Sequence, residues 1–330
     1  MDKSQKINGK MIIGNLIMLI GIIIFVSIFS SVFGSGNTLV GVIIITAILM
    51  FSSISVSLKF KDALFGIIIS FLALGVVSYV TMLHPYIGVP INFIFVFLIT
   101  YVFTNKIETK VYLPFILCYV FLQGSPVSSE ELPKRIASLL IGGLLVAIIY
   151  YFSHKKASDE DHRSLKEMFH SIDIHSLQGN FALRMAIGIT ISMFIGGIFG
   201  FVKGMWISAT VLSLTQPNYS QTKERIPERI IGTIIGAVIF IVLFYFIVPK
   251  SLDSMVLLII GYIYMFVKPY KLQMIFVTLN SLAAAMILFD ASVSVPMRIA
   301  FLLVGILIAV VVNKPLYKLY ESKNKEELSK

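Results

Sequence analysis

Charged residues are scarce in this sequence, at 13% of its 330 positions, whereas soluble globular domains carry about a quarter. Apolar residues make up 57% of the chain and the mean hydropathy is +0.92, values that exclude an ordinary soluble domain. Apolar runs of 13 to 23 residues recur without the period-two alternation of barrel strands. Because only helices and closed barrels satisfy the backbone in lipid, the sequence predicts an all-α integral membrane protein.

Cysteine is nearly absent, and so are the motifs of catalysis. The single cysteine, Cys118, lies within an apolar run, which excludes an intramolecular disulfide and predicts a packing role. The chain has no G-x-S-x-G, no Walker A sequence, no H-E-x-x-H and no paired carboxylates on a helix face. Four histidines between residues 153 and 180 match no metal-ligand spacing. We therefore expect neither an enzyme nor a cofactor or metal site.

Acidic residues are also missing from the interior of the apolar runs. All seventeen Asp and Glu residues fall in polar segments or at the ends of runs. Proton-coupled pumps usually bury a carboxylate in the membrane, so coupling through such a group is disfavoured. Asp290 and Glu228 come nearest to a run, and both are typical of ordinary charges at helix ends.

Twelve apolar runs are candidate membrane spans. They cover residues 11–33, 38–53, 62–83, 91–104, 111–123, 134–152, 181–202, 204–216, 229–248, 254–267, 272–289 and 298–313. With the N-terminus inside, only five of the 27 Lys and Arg residues would lie outside: Lys134, Arg135, Lys203, Lys250 and Arg298. The positive-inside rule therefore predicts twelve spans with both termini cytoplasmic, and it assigns the net charge of +10 to topology rather than to a nucleic-acid partner.

The length of some runs leaves their topology open. Runs 91–104, 111–123 and 204–216 are shorter than the roughly 20 residues that a full span requires. They are candidates for helices inside the bundle or for re-entrant segments.

Two stretches of the chain are near copies. Residues 133–144 read PKRIASLLIGGL and residues 296–307 read PMRIAFLLVGIL, with eight of twelve positions identical. We therefore expect two parallel six-helix repeats, with any permeation path near their interface. The predicted domains are a first repeat over 1–152, a cytoplasmic linker over 153–180, a second repeat over 181–315 and a Lys-rich cytoplasmic tail over 316–330.

The linker carries a helix-start signal. Ser164 and Glu167 have the spacing of a capping box, and Leu165, Met168, Phe169 and Ile172 follow at helical intervals. This pattern predicts a short amphipathic helix on the cytoplasmic side.

Arginines are the most informative charged residues. Three of them follow a proline by two positions: Arg135 after Pro133, Arg229 after Pro227 and Arg298 after Pro296. Since proline is enriched at helix starts, we expect each arginine in the first turn of a span, where its charge adds to the positive end of the helix dipole. Such a position suits a carboxylate or phosphate. Snorkelling to lipid phosphates, or pairing with a residue such as Glu228, is the alternative.

Aromatic and amide residues complete the predicted site. Trp206 and Tyr219 are equally typical of an interfacial belt, and Asn280 lies mid-span, where an amide requires a partner or a cavity. Small residues at every fourth position predict close helix packing at Gly188, Ser192, Gly196 and Gly200, and again at Gly232 and Gly236. The candidate substrate-binding residues are Arg229, Arg298, Arg135, Arg184, Trp206, Gln216, Tyr219 and Asn280.

The second half of the chain resembles a known family. The segments that carry the resemblance are FALRMAIGITISMFIGGIFG (181–200), Trp206, Thr210, QPNYSQT (216–222) and ERIIGTIIGA (228–237). Together they are similar to the fusaric acid resistance protein-like family, which includes the aromatic acid exporters. The resemblance covers about 180–313 and implies efflux of small, often aromatic, carboxylic acids across a bacterial cell membrane. The linker is shorter here than in the larger exporters.

The leading hypothesis is thus an exporter of small organic or aromatic acid anions. A membrane that is negative inside drives an anion outward by about 2.3 kcal/mol per charge per 100 mV, so a buried proton relay is not required. An anion channel is the alternative, because the chain is also distantly similar to plant aluminium-activated malate channels. The six-span subunits of those channels pair as dimers, so a homo-oligomer is a further possibility for this chain. A non-transporting scaffold that recruits a partner or anionic lipid is the third hypothesis.

Overall fold

The computed structural model describes residues 8–156, 162–286 and 288–328, and within this part the chain folds into helices, with one isolated β-bridge between Leu58 and Arg163. The α-helices are α1 (Gly9–Phe33), α2 (Thr38–Phe51), α3 (Phe60–Leu83), α4 (Pro85–Val102), α5 (Leu113–Gly124), α6 (Leu132–His154), α7 (Leu165–His170), α8 (Leu177–Ile198), α9 (Met205–Leu214), α10 (Tyr219–Ile241), α11 (Asp253–Tyr264), α12 (Tyr270–Ala285) and α13 (Ala291–Leu328). A π-helix over Val242–Ile247 extends α10.

Seven helices of the described residues are long and apolar enough to cross a membrane. They are α1, α3, α4, α6, α8, α10 with its π-helical extension, and α13 as far as Lys323. Run 91–104 is part of this set because α4 begins at Pro85, six residues before the predicted start. In contrast, α5 and α9 are only 12 and 10 residues long. The all-α class is confirmed, whereas twelve spans, the repeat and the location of the termini stay predictions.

The chain divides into two compact units, one formed by the described parts of 1–25 and 223–302, the other by 26–222 and 303–328. In the second unit the short helix α5 lies in the core. Phe115 of α5 is fully buried and its ring contacts those of Phe51, Phe71 and Phe103, at centroid distances of 5.7, 5.1 and 4.2 Å. Burial of these apolar rings, rather than the length of α5, holds this helix in place.

Close packing by small residues is confirmed in both units. In the first unit, a Cβ on Gly232 would lie 2.7 Å from the carbonyl oxygen of Lys271, so α10 and α12 approach backbone to backbone. In the second unit, a Cβ on Gly188 would lie 2.7 Å from Val211 of α9. Gly200 does not take part, because α8 ends at Ile198. Gly200 has a φ of 60° and terminates the helix.

The predicted linker helix is present as α7. Ser164 Oγ accepts from the N–H of Glu167, and the Glu167 carboxylate accepts from the N–H of Ser164, which confirms the capping box. Asp62 of α3 accepts from the N–H of Leu165, and Lys59 lies 3.2 Å from Glu167. These contacts join α7 to the beginning of α3. Met168 is buried, whereas Phe169 is 48% exposed.

The predicted starts of two helices are wrong. α10 begins at Tyr219 and contains Pro227, and α13 begins at Ala291 and contains Pro296. An internal proline removes one N–H donor, and strong helix formers such as those in SQTKER before Pro227 sustain the helix through it. Residues 219–228, which lie between the predicted runs 204–216 and 229–248, therefore form the first turns of α10. The predicted tail, 316–330, continues α13 as far as the described residues extend.

Candidate functional site

The ends of five helices surround a cavity of about 150 Å³ in the second unit. Its walls come from the C-terminal ends of α3, α5 and α8 and from the N-terminal parts of α4 and α9. Short helices create this space, because α5 ends at the cavity and α9 begins there, where a full-length span would continue. A cavity of this size can hold a benzene-sized molecule.

One wall of the cavity is a hydrogen-bonded polar cluster. Gln123 Nε2 donates to Thr81 Oγ1 and to Asn92 Oδ1, both at 2.9 Å. Tyr119 donates its hydroxyl proton to Asn92 Oδ1. Thr81, Asn92 and Tyr119 are at most 4% exposed, so the cluster lies within the apolar bundle. Each group must be hydrogen-bonded there, and this requirement fixes their relative orientation.

The opposite wall combines hydroxyl groups with apolar side chains. Ser192 of α8 and Ser208 of α9 are buried, with their Oγ atoms 2.8 Å apart. Met193, Phe194 and Met205 supply apolar surface beside them. No charged side chain is among the described residues that line the cavity. The cavity can therefore accommodate an apolar body with one hydrogen-bonding group, and a ligand carrying several charges would lose its hydration without compensation.

A lysine in the turn between α8 and α9 is close in sequence to residues that line the cavity. Lys203 lies between Phe201 and Gly204, which are both lining residues. Burial lowers the pKa of Lys203 below its usual value.

Arg184 is the centre of a second polar cluster in the same unit. Its guanidinium donates to the side chains of Asn180 and Asn313, each at 2.8 Å. It also donates to the backbone carbonyl oxygens of Gln216 at 2.8 Å and Pro217 at 2.7 Å. Arg184 thus joins three parts of the chain, namely α8, the turn that precedes α10, and α13. Every described acceptor around it is neutral. Of the predicted site residues, Arg184 and Gln216 are brought together in this way.

Arg135 is held in a similar manner at the beginning of α6. It is the fourth residue of that helix, as predicted, and is 2% exposed. Its Nε donates to Asn37 Oδ1, and its Nη2 donates to the carbonyl oxygens of Gly36 at 2.8 Å and Ser125 at 3.2 Å. The guanidinium joins three segments of the second unit.

Arg229 and Arg298 lie in the first unit and are close enough for their charges to repel each other. They are 3% and 4% exposed. Arg229 Nη1 donates to Tyr270 Oη at 3.2 Å and contacts Met274 Sδ at 2.9 Å. Neither arginine is in the first turn of its helix, so the helix-dipole argument is wrong for both.

The other predicted site residues occupy separate environments. Trp206 is buried in α9, next to the lining residue Met205. Tyr219 is half-buried, with its ring 6.5 Å from that of Tyr317. Asn280 is half-buried in α12, and the described residues give its side chain no hydrogen bond. None of the eight predicted site residues lines the cavity.

The sequence interpretation missed Thr81, Asn92 and Gln123. The signal was available, because Asn92 is an amide within an apolar run, the criterion that drew attention to Asn280. The sequence does not show that these three residues, which belong to three different helices, lie next to each other.

Comparison with known proteins identifies part of the chain. Residues 191–312 match the family model described as fusaric acid resistance protein-like, in agreement with the resemblance found over 180–313. No curated protein and no solved structure matches the chain. Together with the long apolar helices, the match indicates a transporter-like protein. Residues 191–312, a little over a third of the chain, are therefore similar to the fusaric acid resistance protein-like family, in a chain whose long apolar helices indicate a multi-pass membrane protein.

Proposed function

We propose that this protein exports small organic anions, in particular aromatic carboxylic acids, from the cytoplasm across a bacterial cell membrane. The observation that carries the proposal is the polar cavity within an otherwise apolar helix bundle, with Asn92 and Gln123 on one wall and Met193 and Phe194 on the other. An apolar ring with one carboxylate is complementary to this combination of surfaces. The two predicted repeats, with both termini cytoplasmic, belong to the same proposal.

Buried arginines support an anionic substrate. The proposed function assigns to Arg229 and Arg298, which are 3% and 4% exposed, the attraction of the anion. An anion that approaches them would be stabilised, and the membrane potential then favours its movement outward. In contrast, the predicted residues Arg135 and Arg184 donate to neutral protein acceptors, so we assign them to the architecture of the protein.

Flux measurements on the purified full-length protein in proteoliposomes test this function. Labelled benzoate, salicylate, malate and succinate are compared with and without an imposed potential. We expect saturable flux of the aromatic monocarboxylates that increases when the compartment containing the acid is made negative. Absence of flux for every acid, in vesicles where the protein is folded and inserted, contradicts the proposal. Current that follows voltage without saturating would identify an anion channel instead.

A further inference from the structure

The amide of Asn92 has a fixed orientation because of the groups behind it. Thr81 is in a helix, and its hydroxyl donates to the carbonyl oxygen of Val77 at 2.9 Å, which can only accept. With its single proton used, Thr81 Oγ1 has to accept from Gln123. The atom of Gln123 that faces Thr81 is therefore the amide nitrogen.

The same nitrogen of Gln123 determines which atom Asn92 turns toward it. Nε2 carries two protons, of which one goes to Thr81 and the other to Asn92. Asn92 must present its oxygen, since a reversed amide would place two donors against each other. The hydroxyl of Tyr119 donates to the same oxygen. The backbone carbonyl of Val77 thus sets, through two side chains, the orientation of the Asn92 amide.

As a result, the Nδ2 donor of Asn92 remains for the cavity. Asn92 lines the cavity and is 4% exposed as a whole. Its Nδ2 makes no hydrogen bond to any described residue, yet it is not among the fully enclosed polar atoms that lack a partner. The nitrogen therefore keeps some accessible surface, on a residue that lines the cavity. A buried donor without a protein partner requires water or a ligand acceptor.

We infer that Asn92 donates a hydrogen bond from Nδ2 to a carboxylate oxygen of a bound monocarboxylate, and that Tyr119 and Gln123 are positioning residues for this donor. The inference rests on the proposed transport function and names the polar contact within it. The ring of the acid lies against Met193, Phe194 and Met205. The described lining carries no charge, so a carboxylate is buried there at a cost that the Asn92 donor offsets, and a second carboxylate would add the same cost without such a donor. We therefore expect dicarboxylates to be excluded.

The sharpest test is Asn92→Asp. This variant keeps the volume of the side chain and the oxygen that accepts from Tyr119 and Gln123, and it replaces the Nδ2 donor by an oxygen that, when ionised, also carries negative charge and repels a carboxylate. We expect the half-saturation concentration for labelled benzoate to rise at least about tenfold, the effect of losing a hydrogen bond to a charged group. Phthalate, which adds a second carboxylate to the same ring, should not be transported by the wild-type protein.

The positioning role has its own readout. Tyr119→Phe should raise the half-saturation concentration roughly two- to tenfold with little change in the maximal rate. In the Asn92→Asp background the same substitution should have no further effect, because Tyr119 acts through the Nδ2 donor that is already gone. Thr190→Val is the matched control. Thr190 is buried in α8, its hydroxyl finds no hydrogen-bond partner among the described residues, and benzoate flux should be unchanged.

The outcomes separate this inference from the proposed function. A wild-type protein that transports no acid contradicts the function itself. If the wild-type protein transports benzoate but Asn92→Asp leaves the half-saturation concentration unchanged, or if phthalate is transported as well as benzoate, Asn92 is not the carboxylate donor. Additive effects of Asn92→Asp and Tyr119→Phe would remove Tyr119 from the positioning role.

Discussion

Arg184 Nη1 donates to Asn313 Oδ1 across 2.8 Å, and this bond joins α8 to α13 in the interior of the second unit. Asn313 in turn donates to Thr215 Oγ1 at 3.2 Å. Three segments far apart in sequence are thus connected through one amide. Because all these groups are buried, removal of any one takes a hydrogen bond from each of its neighbours without offering water in exchange.

We therefore expect Asn313→Leu to destabilise the protein by about 1.5–3 kcal/mol, the range for a hydrogen bond to a charged group. Thermal unfolding in detergent measures the change. Arg184→Lys should be comparably harmful, since an ammonium cannot reach four acceptors arranged for a guanidinium. The exposed residue Lys166 provides the control, because Lys166→Ala should leave the unfolding temperature unchanged. Equal unfolding temperatures for wild type and Asn313→Leu would mean that the cluster does not stabilise the fold.

Attachment of the linker helix α7 should depend on pH. The N–H of Ser164 and the ammonium of Lys59 hold the pKa of the Glu167 carboxylate below its usual value. A carboxylate whose pKa is depressed in the folded state stabilises that state above its unfolded pKa, and this stabilisation is lost as the pH falls through the folded pKa. We expect weaker protection against hydrogen exchange over 162–176 in strongly acidic buffer, after correction for the intrinsic exchange rate at each pH.

Glu167→Gln isolates the charge from the capping geometry. Glutamine can still accept from the N–H of Ser164, but it does not pair with Lys59 or titrate. The variant should show faster exchange over 162–176 at neutral pH and no further change through the acidic range. A pH profile for Glu167→Gln that follows the wild-type profile would assign the effect to another group.

The fold class followed from the sequence because lipid restricts the backbone so strongly. The apolar runs fall on helices of the structure, and the capping box at Ser164 and the glycine spacing at Gly232 describe local geometry that a few neighbouring residues determine. Helix starts were less predictable. Proline at the first turn is a preference, and Pro227 and Pro296 lie inside longer helices because the residues before them are also helical.

The cavity was not predictable because it depends on contacts between distant segments. Asn92 and Gln123 are 31 positions apart, and Ser192 and Ser208 come from the other predicted repeat. The sequence interpretation favoured arginines for their charge, yet Arg135 and Arg184 bind neutral groups of the protein itself. Side-chain type alone did not distinguish a cation that holds helices together from one that attracts a ligand.

Close approach of α10 and α12 predicts opposite effects for two glycine substitutions in the first unit. A Cβ on Gly236 would lie 2.7 Å from the carbonyl oxygen of Ile275, a backbone atom that cannot rotate away. Gly236→Ala should therefore cost about 1–3 kcal/mol in the free energy of unfolding. Gly261 in α11 has nothing within 4 Å, so Gly261→Ala should be neutral or stabilising by up to about 1 kcal/mol. Unfolding temperatures in the same detergent compare the two, and equal effects would contradict the close approach.

Arg298 and Arg135 allow effects on function and on stability to be compared. Arg298 is 4% exposed, and the proposed function assigns its positive charge to attraction of the anion. Arg298→Gln should therefore weaken benzoate transport, because it removes charge that attracts the anion. Arg135→Gln is the matched comparison and should destabilise, since the guanidinium there donates to Asn37, Gly36 and Ser125. If Arg298→Gln also destabilises while transport is unchanged, Arg298 belongs to the architecture, as Arg135 does, and the anion is attracted elsewhere.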